Sequence, residues 1–175
     1  MSLSSRTHRA GLVSAAVAAF VLVPAASAVA CSGASAPREA QSTRQYVRAV
    51  HCLLNGERAR AGLAPLAYDR RLARAARRFS QAMARSGFFD HVSPQGSTLG
   101  DRVRQAGWSG GALGETIAWG AGSQSTPAAI VAGWMASPPH RGIILDGTFR
   151  EVGLGVAPRA PSGAAGATVT ADYGT

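Results

Sequence analysis

Asp69-Arg70-Arg71-Leu72-Ala73-Arg74-Ala75-Ala76-Arg77-Arg78-Phe79-Ser80-Gln81-Ala82-Met83-Ala84-Arg85-Ser86-Gly87 reads as one helix with both ends marked. Asp69 is an N-cap residue, able to accept first-turn amides. Leu72, Ala76, Phe79 and Met83 follow at steps of four, three and four, the spacing of a single apolar stripe. Gly87 stops the pattern. Arg70, Arg71, Arg74, Arg77, Arg78 and Arg85 crowd the opposite side. They read as a solvated face, or as electrostatic attachment to an anionic extracellular polymer or to lipid head groups.

Three more helices flank this one. Tyr46, Val47, Val50, Leu53 and Leu54 recur helically between about Thr43 and Ala61, and Gly62 ends them. A short helix is expected over Thr98 to Ala106, before Gly107. Thr126 caps a fourth, with Pro127 at its first position and Ile130, Val131, Trp134 and Met135 along it. Pro138-Pro139 is expected to end it. Strand patterns lie between and after the helices, at Glu115 to Trp119, at Val152-Gly-Leu154-Gly-Val156 and at Thr168 to Tyr173. The last two are joined by a turn-rich link and form an expected hairpin. The class is α+β, with about four helices around a small, mainly antiparallel sheet.

Composition narrows the function. All 18 basic residues are arginine, against 9 acidic ones, for a net charge of +9 over 175 residues. With 46% hydrophobic residues and 15% charged, the chain is not intrinsically disordered. Its 21 glycines have no three-residue period, which excludes collagen. A single long uncharged run excludes a polytopic membrane protein. No aromatics interleave with the arginines, so nucleic acid is not an expected partner.

That uncharged run opens the chain. Arg6, His8 and Arg9 precede the apolar stretch Gly11 to Val23, then Pro24, Ala26-Ser27-Ala28 and Ala28-Val29-Ala30. A basic start, a short apolar middle and a small-x-small end make a signal peptide over residues 1–30. A retained anchor helix is the alternative, but a span wants about 20 strongly apolar residues and this one is mostly alanine. Export places Cys31 and Cys52, the two cysteines of the chain, where a disulfide can form. Such a bridge would add about 3 kcal/mol by closing a loop of about 20 residues. A lipidated Cys31 is the competing reading, although Ala28 is small for the aliphatic position of a lipoprotein signal. Residues 31–43, small and polar, are expected as a tether, pinned by the disulfide if it forms, and 44–175 as the domain.

Ordered along that domain are Asn55-Gly-Glu57-Arg58, Gly62-Leu-Ala-Pro65-Leu66, Asp69, Phe88-Phe-Asp-His91, Gly114-Glu115-Thr-Ile-Ala118, Trp134-Met-Ala-Ser137-Pro-Pro-His140-Arg141, Ile144-Leu145 and Glu151-Val-Gly153-Leu-Gly155. The series resembles the CAP superfamily of SCP-like extracellular domains, in its compact secreted bacterial form, from Tyr46 to Tyr173. The resemblance implies a three-layer α-β-α sandwich. It also implies that His91, Glu115 and His140 meet at one cleft.

Two imidazoles and a carboxylate can hold Zn²⁺ or another divalent ion with a position left for water. Metal-activated water would make the cleft that of an extracellular, peptidase-like hydrolase. A triad with Ser137 or Ser93 as nucleophile, His140 as base and Glu115 as orienting group is a further arrangement, though neither serine has an activating context. The same three residues can instead form a hydrogen-bonded cluster that only shapes the cleft. The pattern departs from the family at Ser137, where many members carry a second carboxylate, and at Thr116 and Pro139. His51, beside the first helix's apolar stripe, reads as structural. Trp108, Trp119 and Trp134 read as core or cleft lining. The expected protein is a secreted, monomeric, non-catalytic binding module, with a lipid or sterol the ligand implied by the resemblance and an anionic wall polymer the one implied by charge.

Overall fold

The computed structural model describes residues 31–175, so the signal peptide or anchor expected over 1–30 lies outside the described residues. The arginine-rich helix forms as its caps dictate. Asp69 accepts from the amides of Arg71 (2.7 Å) and Leu72 (2.9 Å), and Gly87 closes the end at φ 66°. In chain order the elements are α1 (Thr43–Arg60), β1 (Ala67–Tyr68), α2 (Arg70–Ser86), α3 (Leu99–Gln105), β2 (Leu113–Ala121), α4 (Pro127–Ala136), α5 (Pro138–Ile144), β3 (Glu151–Arg159) and β4 (Ala165–Gly174). The strands make one sheet in the order β1-β3-β4-β2, antiparallel except for the short parallel β1–β3 pair.

Pro138-Pro139 ends α4 as expected, at Ala136. Two elements were not expected. α5 begins directly on Pro138, because a proline in the first turn forfeits no intrahelical hydrogen bond. The helices therefore number five among the described residues. β1, two residues long, carries no periodicity from which it could be read.

The sheet is covered on both faces, giving the three-layer α-β-α sandwich. On one face Val152, Leu154, Val156, Val169, Ala171 and Tyr173 pack with Tyr46, Val50 and Leu54 of α1 and Ile130, Val131 and Trp134 of α4. On the other, α2 lies directly on β3. A Cβ at Gly153 would collide with the backbone of Leu72 and Ala73, and one at Gly155 with that of Ala76 and Arg77. The alternating glycines are thus the contact surface of a helix.

Arg58 is wholly buried and donates to the carbonyls of Ala64, Ile144, Asp146 and Phe149, tying α1 to the chain between α5 and β3. Residues 31–42 lie against the domain. Cys31 is bonded to Cys52 of α1, Ala128 donates to the Ala34 carbonyl, and the Arg38 amide donates to Ser125 Oγ.

Candidate functional site

Glu115 sits three residues into β2, buried on the face that α2 and α3 cover. Its Oε1 accepts from His91 Nδ1 at 2.8 Å, and its Oε2 from Arg102 of α3 at 2.5 Å. The Arg102 guanidinium also donates to the carbonyls of His91 and Ser97 and stacks 3.5 Å from the centre of the Phe79 ring. One arginine therefore fixes both the carboxylate and the loop that carries His91.

His140 enters from α5, its ring centre 6.3 Å from that of His91. The two imidazoles are pushed apart in acidity. The hydrogen bond to Glu115 raises His91 above its ordinary value; burial, and then the neighbouring His91, lower His140. At neutral pH His140 is the readier lone-pair donor.

Beneath Glu115 lies a group that the pattern of residues did not single out. Asp172 of β4 is directly opposite Glu115 and opposite Gly153 of β3. It is completely buried, and no donor lies within hydrogen-bond distance of either carboxyl oxygen. Burial, followed by the charge of Glu115, pushes its pKa well above the usual carboxylate range; Arg102 opposes this, and a hydrogen bond that the protonated form shares with Glu115 adds to it. Asp172 is thus held toward its protonated form beside the Arg102–Glu115 ion pair.

The predicted residues are thus partly reunited. His91, Glu115 and His140 share the cleft, but both Glu115 oxygens are already engaged, and among the described residues no three His, Cys, Asp or Glu side chains are gathered to hold a metal. Two imidazoles sharing a tetrahedral ion through metal–nitrogen bonds of about 2.0–2.1 Å would have ring centres about 5 Å apart, so the observed 6.3 Å requires the rings to close by about 1 Å; a carboxylate on the far side of a ligating imidazole is the usual way its orientation is set. The triad is not assembled. Ser93 Oγ accepts from the Ser97 amide, the Ser137 side chain makes no cap bond, and neither hydroxyl is bonded to His140.

His51 hydrogen-bonds the Leu66 carbonyl and Asn55 at the base of α1, a structural place. Trp108 and Trp134 are core, whereas Trp119, on the edge strand β2, is 47% exposed and is not core. All six α2 arginines are exposed. Arg102 was missed because a charge on a short helix ordinarily faces water; the signal was its place in α3, eleven residues after the His91 of the Phe-Phe-Asp-His loop.

Comparison with known proteins agrees with the fold. The Bacillus subtilis (strain 168) protein YkwD is 40% identical over 114 residues, which are 65% of this chain and 43% of that one. A crystal structure of an extracellular protein containing an SCP domain from Bacillus anthracis superposes with a TM-score of 0.66 at 27% identity, over 77% of this chain and 44% of the other. An outer surface protein from Borrelia burgdorferi shares the fold at a TM-score of 0.66 and 16% identity, over 77% of this chain and 96% of the other. The chain spans less than half the length of the first two. The family model described as the cysteine-rich secretory protein family, CAP, matches residues 52–173, and the chain belongs to that family.

Proposed function

We propose that the protein is a secreted, non-catalytic binding module whose cleft holds a divalent cation, with Zn²⁺ the best match, between His91 and His140. The observation that carries this reading is the His91–Glu115 hydrogen bond. It spends Nδ1 on the carboxylate and leaves Nε2 as the ring's ligating nitrogen. Glu115 then orients His91 rather than coordinating, which revises the three-ligand reading of the sequence. Phe89 and Val92, 43% and 44% exposed on the same loop as His91, add apolar contact beside the cation. That mixture suits an amphiphile with an anionic head, such as a lipid. Among the described residues no helix is long and apolar enough to cross a membrane, and a place outside the cell is part of the proposal.

Calorimetric titration of Zn²⁺ into the metal-free protein tests the site. Saturable heat with proton release is expected, lost in a His91→Ala, His140→Ala double variant and weakened about 10- to 100-fold in Glu115→Gln. Equal heats in wild type and double variant would overturn the reading. The metal-dependent hydrolase remains the rival use of the same nitrogens, and turnover of peptide or ester substrates that disappears with His140→Ala would favour it.

A further inference from the structure

At the opposite edge of the sheet from the histidine cleft, β3 is left without a strand neighbour over most of its length. β1 pairs only with Glu151 and Val152, and beyond them no strand lies on that side among the described residues. The Val152 carbonyl accepts from the Asp69 amide, so it faces outward. With a period of two, the backbone groups of Leu154 and Val156 face the same way. They line a groove of about 790 Å³, with Tyr68 among its other lining residues.

The walls of the groove are arginine. Arg44 and Arg48, one turn apart on α1, stand on one side; Arg70, Arg74 and Arg77 of α2 stand on the other. All five are exposed, and none of the residues lining the groove is acidic. The walls belong to opposite faces of the sheet, since Leu154 and Val156 pack toward α1 while Gly153 and Gly155 pack against α2.

We propose that this edge is a peptide-binding site that takes an extended acidic segment of another protein as an added strand beside β3. A strand added to an edge sends successive side chains to alternate faces. Here each face presents guanidinium groups, so acidic residues at both parities find partners while the peptide backbone satisfies Leu154 and Val156. A polyphosphate or a uronate polymer would meet the arginines but would leave the strand edge unused. An edge this open ordinarily invites unwanted pairing, and the positive walls restrict it to acidic chains.

The test is fluorescence anisotropy with a labelled decapeptide of glutamate and threonine, its acids placed at both parities. Saturable binding is expected, weakened about tenfold in an Arg48→Gln, Arg77→Gln variant whose circular dichroism and Tm match wild type. The same peptide N-methylated at alternate amides is expected to bind at least tenfold more weakly, and polyphosphate of equal charge to displace the parent poorly. Absence of binding, equal binding of the N-methylated peptide, or displacement by polyphosphate charge for charge would each overturn the proposal, the last two by showing a patch that reads charge alone.

Discussion

Glu115 and Asp172 are paired across β2 and β4, one hydrogen-bonded to an arginine and a histidine, the other fully buried with no donor to either oxygen. Adjacent buried carboxyls do not both ionise readily. The arginine and histidine converge on Glu115, and it is the pKa of Asp172 that is pushed up. The candidate site therefore rests on a buried acid whose cost grows as the medium becomes more alkaline.

Asp172→Asn tests that cost. A carboxyl whose folded pKa is raised binds a proton more tightly in the native than in the unfolded state, so its effect on stability worsens as pH climbs from about 4 toward the folded value. The amide removes this dependence with nearly the same shape. Thermal melts should show the variant at least as stable as wild type at pH 8, with its relative advantage shrinking toward pH 4. A variant clearly less stable at pH 8 would mean that the carboxyl makes a native interaction that the amide cannot.

Glu115→Gln acts on the other partner. Removing the carboxylate leaves Arg102 buried without its counter-charge, which costs about 3–5 kcal/mol where such pairs are broken, measurable by urea denaturation. It also withdraws the negative charge through which the hydrogen bond to Glu115 raises His91. In wild type that interaction contributes fully below about pH 6.5 and is lost as pH rises through the raised folded value. NMR titration should show the His91 transition moving to lower pH in the variant, and an unmoved transition would contradict the assignment.

The glycine ladder on β3 supplies a steric test. Gly155→Ala drives a Cβ into the backbone of Ala76 and Arg77 and should cost at least about 1–3 kcal/mol by lifting α2 from the sheet. Gly142→Ala, in α5 with nothing within 4 Å of the new Cβ, should gain about 0.5–1 kcal/mol from helix propensity. Chemical melts of the two variants should move in opposite directions.

Joint replacement of Cys31 and Cys52 by serine opens the link across 21 residues and should lower stability by about 2–4 kcal/mol. Limited proteolysis should then cut first within 31–42, the segment whose start the bridge anchors. Unchanged cleavage would show that the contacts of Ala34 and Arg38 suffice to hold it.

The helical skeleton was legible in the sequence because its signals are local: caps at Asp69, Thr98 and Thr126, and apolar steps along α1 and α2. α5 was hidden by a proline pair that serves equally to end one helix and to begin the next. The site was only half legible. His91, Glu115 and His140 are separated along the chain and were joined by the family resemblance, not by spacing. Thr168, Thr170 and Asp172 alternate with Val169, Ala171 and Tyr173 as in a strand with one wet face, yet α2 covers that face and Ser80 donates to Thr170. On a doubly covered sheet, polar alternation does not mark solvent, so nothing in the strand pattern singled out Asp172.

The order β1-β3-β4-β2 has a mechanical meaning. The arginine groove lies on the free edge of β3 and the histidine cleft on β2. Two inter-strand gaps of about 4.8 Å hold these rims about 10 Å apart, joined by the β3–β4 and β4–β2 ladders. Ligands bound at the two rims as proposed would be held side by side by one sheet, which gives the domain the geometry of a coupler.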